Sequence, residues 1–416
     1  MLKHVLVNTL LVAGSILLAT ALAAGVDRIV GPPAARQYGG ERMALLFAPG
    51  AVEHVKTVEF EMTARMNNLG LRDNDIPPGK SSRFRIVAIG DSFTHGWGVE
   101  LEDTWVKQLE AELRARGYDV EIINAGQSGM NTAFYRAMAR RIVPVLQPDL
   151  VLVGMLHNDI GMSNMERVGL WRPVARRVFE AIFPNAAKHI AQRALEAEQQ
   201  QVNPLAPTAL SIEQNRANFA NMAKETVARF TSEQKARFDA MDPEVKRLFL
   251  EGQTNPFMVS VGISAPGFYT SLLALRDFGW EEVVQRVGGY LAQLKDIAAG
   301  HGADTVTAII PAGPYCNRPQ WEAVRRLGFD MREEMLSTGT PDALTMEASA
   351  LAGIPCLSVT ETFRRHQDDA TLYYPLDNHF SAAGHALYAR SLAPLLEPYL
   401  KDAPRITSNA GGNPSP

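Results

Sequence analysis

One stretch limits the possible folds more than any other, Arg85 to Gly96. Ile86, Val87, Ala88 and Ile89 form a short unbroken apolar run, the pattern of a strand buried on both faces of a parallel sheet. Gly90 ends the run and permits a turn that most side chains would obstruct. Asp91 and Ser92 follow at once, ahead of a helix start. A hydroxyl in that place stands at the carboxyl end of a strand, the crevice where open α/β sheets hold their ligands. Ser92 is therefore a candidate nucleophile.

The flanking sequence repeats the strand-helix alternation of a parallel sheet covered by helices. Strands are expected near 84–89, 120–123, 150–153, 305–310 and 355–359. A helix is expected over Glu102–Arg116, with Trp105, Leu109 and Leu113 on one face. Ala133–Leu146 is a second, closed by Pro148. Further helices are expected from about Glu281 to Ala299, over about 319–336 and 342–352, and up to about Leu396. Roughly 160–280 breaks the alternation as a helical, rather polar insertion. Trp171, Val174, Val178 and Ile182 line one face of a helix there, with Arg172, Arg176 and Arg177 elsewhere on it. Such a helix can lie on a membrane surface or pack as an ordinary helix. Asp242 and Pro243 open another, which Gly252 can stop. The insertion leaves the chain directly after Asn158, so it is expected over the carboxyl end of the sheet as a lid or substrate wall.

Lys3 and His4 precede a mostly apolar run from Val5 to Ala24, and Ala21-Leu22-Ala23 fits a small-x-small cleavage pattern. Residues 1–25 therefore read as an export signal or a retained anchor helix in the inner membrane. Residues 26–82 read as a connector and N-terminal extension, with a half-buried strand over Thr57–Thr63 in which Val58, Phe60 and Met62 alternate with polar residues. Residues 83–400 make the main domain, and 401–416, rich in Pro, Gly, Asn and Ser, a disordered tail. The net charge of −4, with acidic and basic residues well mixed, argues against a nucleic-acid partner. Cys316 and Cys356 can form one disulfide in an oxidising compartment or remain buried thiols.

Four strand-end stretches each offer a polar group. They are Ser92, the Ser128-Gly129 turn with an unhindered N–H, the Asn158 amide, and Asp377 with His379. Acyl transfer to a serine requires a nucleophile, a base, a group that orients the base, and donors for the oxyanion. The N–H of Ser92, the N–H of Gly129 and the Asn158 amide would supply those donors. Asp377 and His379 are two apart, so on an extended segment both would point to one side, with Asn378 pointing away. His379 would then reach Ser92 Oγ with one ring nitrogen and Asp377 with the other, the alternatives being that another carboxylate orients the imidazole or that it works with a backbone carbonyl alone. His385 is a rival base, placed inside the last helix. His95 and His157 lie near the same crevice and could contact substrate, while Asp91 supports the turn.

These residues carry a resemblance. The chain is similar to the SGNH hydrolases of the GDSL esterase/lipase superfamily. Gly90-Asp91-Ser92-Phe93 resembles the first block, Asn124 to Gly129 the second, His157-Asn158-Asp159 the third, and Asp377 to Gly384 the fifth. Asn68 to Asp73 resembles bacterial members tethered to the membrane by one N-terminal helix. The resemblance implies a flavodoxin-like α/β/α fold whose five parallel strands run in the order 2-1-3-4-5. It also implies a Ser92–His379–Asp377 triad acting on esters, among them O-acyl groups on carbohydrate or lipid, with no metal or organic cofactor. The family usually spaces its last pair as D-x-x-H and has glycine where Leu156 and His157 stand. The D-x-H of this chain resembles instead SGNH-like proteins that acetylate alginate, so an O-acyltransferase of an extracytoplasmic polysaccharide stays open. A non-catalytic scaffold that presents the helical insertion to a partner stays open as well.

Overall fold

The computed structural model describes residues 14–15, 18–29, 47–161, 179, 181–186, 209–275 and 280–406. The chain divides into two compact units, Met1–Leu45 with Glu166–Pro204, and Leu46–Met165 with Leu205–Pro416. In the first, residues 18–29 are helical, and the Asp27 carboxylate accepts the backbone N–H groups of Asn185 and Ala186. Among the described residues no helix is long and apolar enough to cross a membrane. Most of the Val5–Leu17 part of the N-terminal run, and the Trp171–Val178 part of the basic helix, lie outside the described residues.

The second unit holds two sheets. Strands β1 (Val52–Lys56) and β2 (Glu61–Arg65) form an antiparallel hairpin, extended on its other side by the short parallel β6 (Ala209–Leu210). Strands β3 (Phe84–Gly90), β4 (Val120–Gly126), β5 (Leu150–Met155), β7 (Asp304–Ile309) and β8 (Cys356–Ser358) form the parallel sheet. Its spatial order is β4-β3-β5-β7-β8, which is the expected 2-1-3-4-5. Every residue of β3 and β5 is buried, which is why these strands read as apolar runs rather than as alternations.

Helices cover both faces. Trp105–Ala115 packs against Ala382–Leu396, burying Trp105, Leu109 and Leu113 completely. Thr132–Leu146, Trp280–Ala299 and Thr340–Leu351 pack in succession. Each fully buried large apolar side chain is worth about 1.5–3 kcal/mol relative to exposure. Ser381 caps the last helix through the N–H of Gly384, and Asp242 caps Pro243–Leu250, both as expected.

Two expectations are corrected. Thr57–Thr63 is not one strand, because Thr57–Phe60 is a turn closed by the Thr57 N–H on Phe60 O at 2.9 Å. The alternation there reflects a turn folding Phe60 and Met62 into a separate apolar cluster with Val55, Ala64 and Met66, while Val58 stays half exposed. The extension at 26–82 is thus structured where it is described after residue 46. The tail is also ordered as far as residue 406. Asp119 N–H donates to Pro404 O, Ile406 N–H to Gly117 O, and the Arg405 guanidinium covers the Tyr118 ring at 3.7 Å. Composition shows only that a segment is polar, not that an edge loop waits to pair with it. Both cysteines are free thiols, and Cys316 Sγ bonds to the Tyr373 hydroxyl.

Candidate active site

Chain geometry at the end of β3 presents Ser92. Asp91 caps the short helix Ser92–His95 by accepting the Phe93 N–H at 2.9 Å, and Gly96 closes it in the left-handed region. Gly90 serves close approach rather than an unusual φ, since a Cβ there would stand 2.0 Å from Thr94 Oγ1. Gln127 N–H donates to Gly90 O, tying the loop after β4 to the same turn.

His379 faces Ser92, with Nε2 2.7 Å from Oγ. Its Nδ1 bonds to Asp377 Oδ1. The other carboxylate oxygen, Oδ2, accepts the Trp97 indole N–H at 3.1 Å. Asp377 is almost wholly buried and His379 mostly so. Burial alone would lower the imidazole's pKa, yet the neighbouring Asp377 carboxylate and its hydrogen bond outweigh that and raise it. His379 is thus held as a stronger base than a free histidine.

The pair meets by a different geometry from the extended one expected. Asn378 has φ +69°, and its N–H closes a turn on Tyr374 O at 2.7 Å. Tyr374 N–H donates to His379 O at 2.9 Å. Asn378 does not point away from the site. Its amide Nδ2 donates to the Tyr269 hydroxyl, its Oδ1 accepts from Gln320 Nε2, and it lines the cleft. Asn is among the few non-glycine residues that take the left-handed conformation readily, and these two bonds hold it there.

Ser92, Gly129, Asn158, Asp377 and His379 all line one cavity of about 320 Å³. Gly129 has φ +78° with nothing within 4 Å of where a Cβ would be, so its backbone is open to the cleft. Asn158 stands beside the buried Asp91, whose carboxyl burial pushes up to about 6 while the Phe93 N–H and Asn158 work against that shift. Asp159 faces away from the cleft chemistry, accepting the Tyr135 hydroxyl and the Leu156 N–H. The opposite wall is apolar and comes from the insertion: Phe257, Met258, Val261, Phe268 and Tyr269, joined by Phe329.

The other histidines separate by environment. His157 lines the cleft, stacks on Tyr269 at 5.3 Å, and has its pKa pushed down to about 3 by burial. His95 is buried and faces Gly126 O, and His385 accepts the Trp105 N–H at 3.0 Å. Burial lowers both to about 3. The rival base is therefore occupied in helix packing.

Three contributors escaped the sequence reading. Trp97 follows Ser92 closely but carries no motif. Glu59 accepts the N–H groups of Leu376 and Asp377 at 2.7 and 2.9 Å. Arg72 is buried, with its guanidinium on the carbonyls of His95, Gly96 and Val99. Only Arg72 had a signal, its place in the Asn68–Asp73 motif.

Residues 88–256 match the model of the GDSL-like lipase/acylhydrolase family. That span contains Ser92, Gly129 and Asn158 but ends before Asp377 and His379. The arylesterase of Vibrio mimicus is 32% identical over 75 residues, 18% of this chain and 38% of that protein. Esterase TesA of Pseudomonas aeruginosa is 29% identical over 90 residues, 22% of this chain and 44% of that protein. The chain thus spans 38–44% of the length of these curated relatives. The crystal structure of a TesA aligns over 76% of this chain and 99% of its own, at 13% identity and a TM-score of 0.36.

Proposed function

We propose that the chain, whose residues 88–256 match the model of the GDSL-like lipase/acylhydrolase family, is a serine esterase of that family working through Ser92, His379 and Asp377. The observation that carries the reading is the continuous relay from Ser92 Oγ through both ring nitrogens of His379 to Asp377. Ser92 Oγ attacks the ester carbonyl while His379 Nε2 takes its proton. Asp377 fixes the tautomer and stabilises the imidazolium. The N–H groups of Ser92 and Gly129 and the Asn158 amide receive the developing oxyanion, each such donor being worth about 3 kcal/mol of barrier. His379 then returns the proton to the leaving alcohol. Water, deprotonated by the same imidazole, attacks the acyl-enzyme and releases the acid and Ser92.

The apolar wall of the cavity supports an apolar acyl group as the part bound there. The charged N-terminal start and the apolar run behind it support a site of action outside the cytoplasm, with residues 1–25 as cleaved signal or anchor.

The test is hydrolysis of p-nitrophenyl acyl esters by the full chain, with Ser92→Ala as control, together with labelling of Ser92 by a serine-directed phosphonate. Hydrolysis that is lost in Ser92→Ala, with label on Ser92, is the expected result. A chain that neither hydrolyses esters nor takes the label would be a scaffold. Acetyl transfer to a glycan that greatly outran release of free acetate would make it an acyltransferase. Cell fractionation and N-terminal sequencing of the mature protein test the location.

A further inference from the structure

We propose that Glu59, on the turn between β1 and β2, is a positioning residue for the relay, so that the N-terminal hairpin holds the acid of the triad in place. The inference rests on the esterase reading above.

The geometry is bidentate. Leu376 N–H donates to Glu59 Oε1 at 2.7 Å and Asp377 N–H to Oε2 at 2.9 Å. One carboxylate therefore grips two successive peptide groups, the second belonging to the residue that orients His379. Two charge-assisted bonds fix both the place and the rotation of that backbone segment. A shift there moves the Asp377 carboxylate, then the imidazole, then the Nε2–Oγ distance.

The turn that bears Glu59 is itself built to be rigid. Thr57 Oγ1 accepts the N–H groups of Glu59 and Phe60 at 3.1 and 3.2 Å. Val58 N–H donates to Gln253 O at 2.9 Å, tying the turn to the helical insertion. Phe60 lies 5.0 Å from the Tyr374 ring and edge-on to Trp97 at 6.1 Å. Those two side chains flank the same loop: Tyr374 OH donates to Gly98 O, and Trp97 holds the free oxygen of Asp377. Hairpin, nucleophile turn and acid loop thus close on one another around Glu59. The parallel sheet presents Ser92, but nothing in it touches the Asp377 backbone in this way.

Charge gives Glu59 a second effect. The titratable groups facing it are Asp377, His379 and Tyr374 from the acid loop, while Lys56 and Glu61 of its own hairpin pair with each other at 2.5 Å. A negative Glu59 favours the imidazolium that forms when His379 takes the Ser92 proton. Burial first, and the like charge of Asp377 after it, push the Glu59 carboxyl up to about 7 against the two N–H bonds. It therefore titrates in the range where the enzyme must keep His379 neutral.

The test measures kcat and KM against pH on p-nitrophenyl butyrate for the wild type, Glu59→Gln, Glu59→Asp and Ser92→Ala. Glu59→Gln keeps the shape but offers one acceptor oxygen where two N–H groups point. Its kcat should fall about 10–100-fold with little change in KM, as for misplacement of a catalytic group by up to an ångström. Its acid limb should move to lower pH, because one titration and one negative charge near His379 are gone together. Glu59→Asp keeps the charge but not the reach, so kcat should fall while the acid limb stays high. A Glu59→Gln enzyme within about twofold of wild-type kcat overturns the proposal. So does an equal loss at every pH with the acid limb unmoved, which is what a purely structural prop would give. If Glu59→Gln does not fold, Glu59→Asp decides alone, since a kcat and pH profile equal to wild type would show that the grip is dispensable. An active Ser92→Ala would sink the esterase reading instead. An inactive one beside an unaffected Glu59→Gln would sink only this inference.

Discussion

Trp97 donates its indole N–H to Asp377 Oδ2 at 3.1 Å, the carboxylate oxygen that His379 leaves free. A buried carboxylate with both oxygens bonded has one orientation, and the imidazole inherits it.

Trp97→Phe should therefore keep the ring and lose the bond. Hydrogen bonds to charged groups are worth about 1.5–3 kcal/mol, so kcat/KM should fall about tenfold or more. Steady-state kinetics on a short-chain ester, beside a melting curve, checks this. Unchanged kcat/KM would mean that Asp377 needs only His379.

Asn378 supplies a left-handed residue and two anchoring bonds at once. Asn378→Gly keeps the conformation and loses the bonds to Tyr269 and Gln320, at about 1–3 kcal/mol for the partners left unsatisfied. Asn378→Val loses both, and a β-branched residue resists φ +69°. Stability and activity should fall in the order wild type, Gly, Val, as read by chemical unfolding and by turnover. A Val variant equal to the Gly variant would show that the turn is not strained by its φ.

The raised pKa of His379 fixes the sign of a pH effect. On the proposed mechanism His379 must be neutral to accept the Ser92 proton, so the acid limb of kcat/KM should lie above the ordinary histidine value of about 6.5. Asp377→Asn removes the main cause of the rise and leaves burial, which lowers the pKa. Its residual activity should have an acid limb at lower pH. Stability follows the opposite course. The folded pKa is raised, so the contribution of protonated His379 is fully present below the unfolded pKa and is lost as pH rises through the folded one. A limb unmoved in Asp377→Asn would mean that another group sets it.

Val261 lies on the apolar wall of the cavity, on the helix Pro256–Ser264. Val261→Trp should fill part of the 320 Å³ that an acyl chain would occupy. Each methylene expelled costs about 0.8 kcal/mol. The preference for octanoyl over acetyl esters should therefore fall by about tenfold or more, with acetyl turnover retained. Equal losses on both esters would place the acyl group elsewhere.

The sequence by itself determined the parallel strands and the residues at their ends, while the order of the strands was implied by the family resemblance. Such strands are buried on both faces, so they stand out as apolar runs, and caps such as Ser381 and Asp242 are local chemistry. Ser92, Gly129 and Asn158 follow strands within a few residues, so their place in the crevice was legible with them. What only the tertiary structure decided is how Asp377 and His379 are held. Glu59 and Asp377 are 318 positions apart, and Trp97 and Asp377 are 280 apart. No periodicity or spacing encodes such a contact, because it forms only when the hairpin packs on the completed domain. The Asp377–His379 pair shows the same limit at short range. Two residues apart suits an extended segment and equally a turn through a left-handed asparagine, and the choice rests on Tyr269 and Gln320, which lie on other elements.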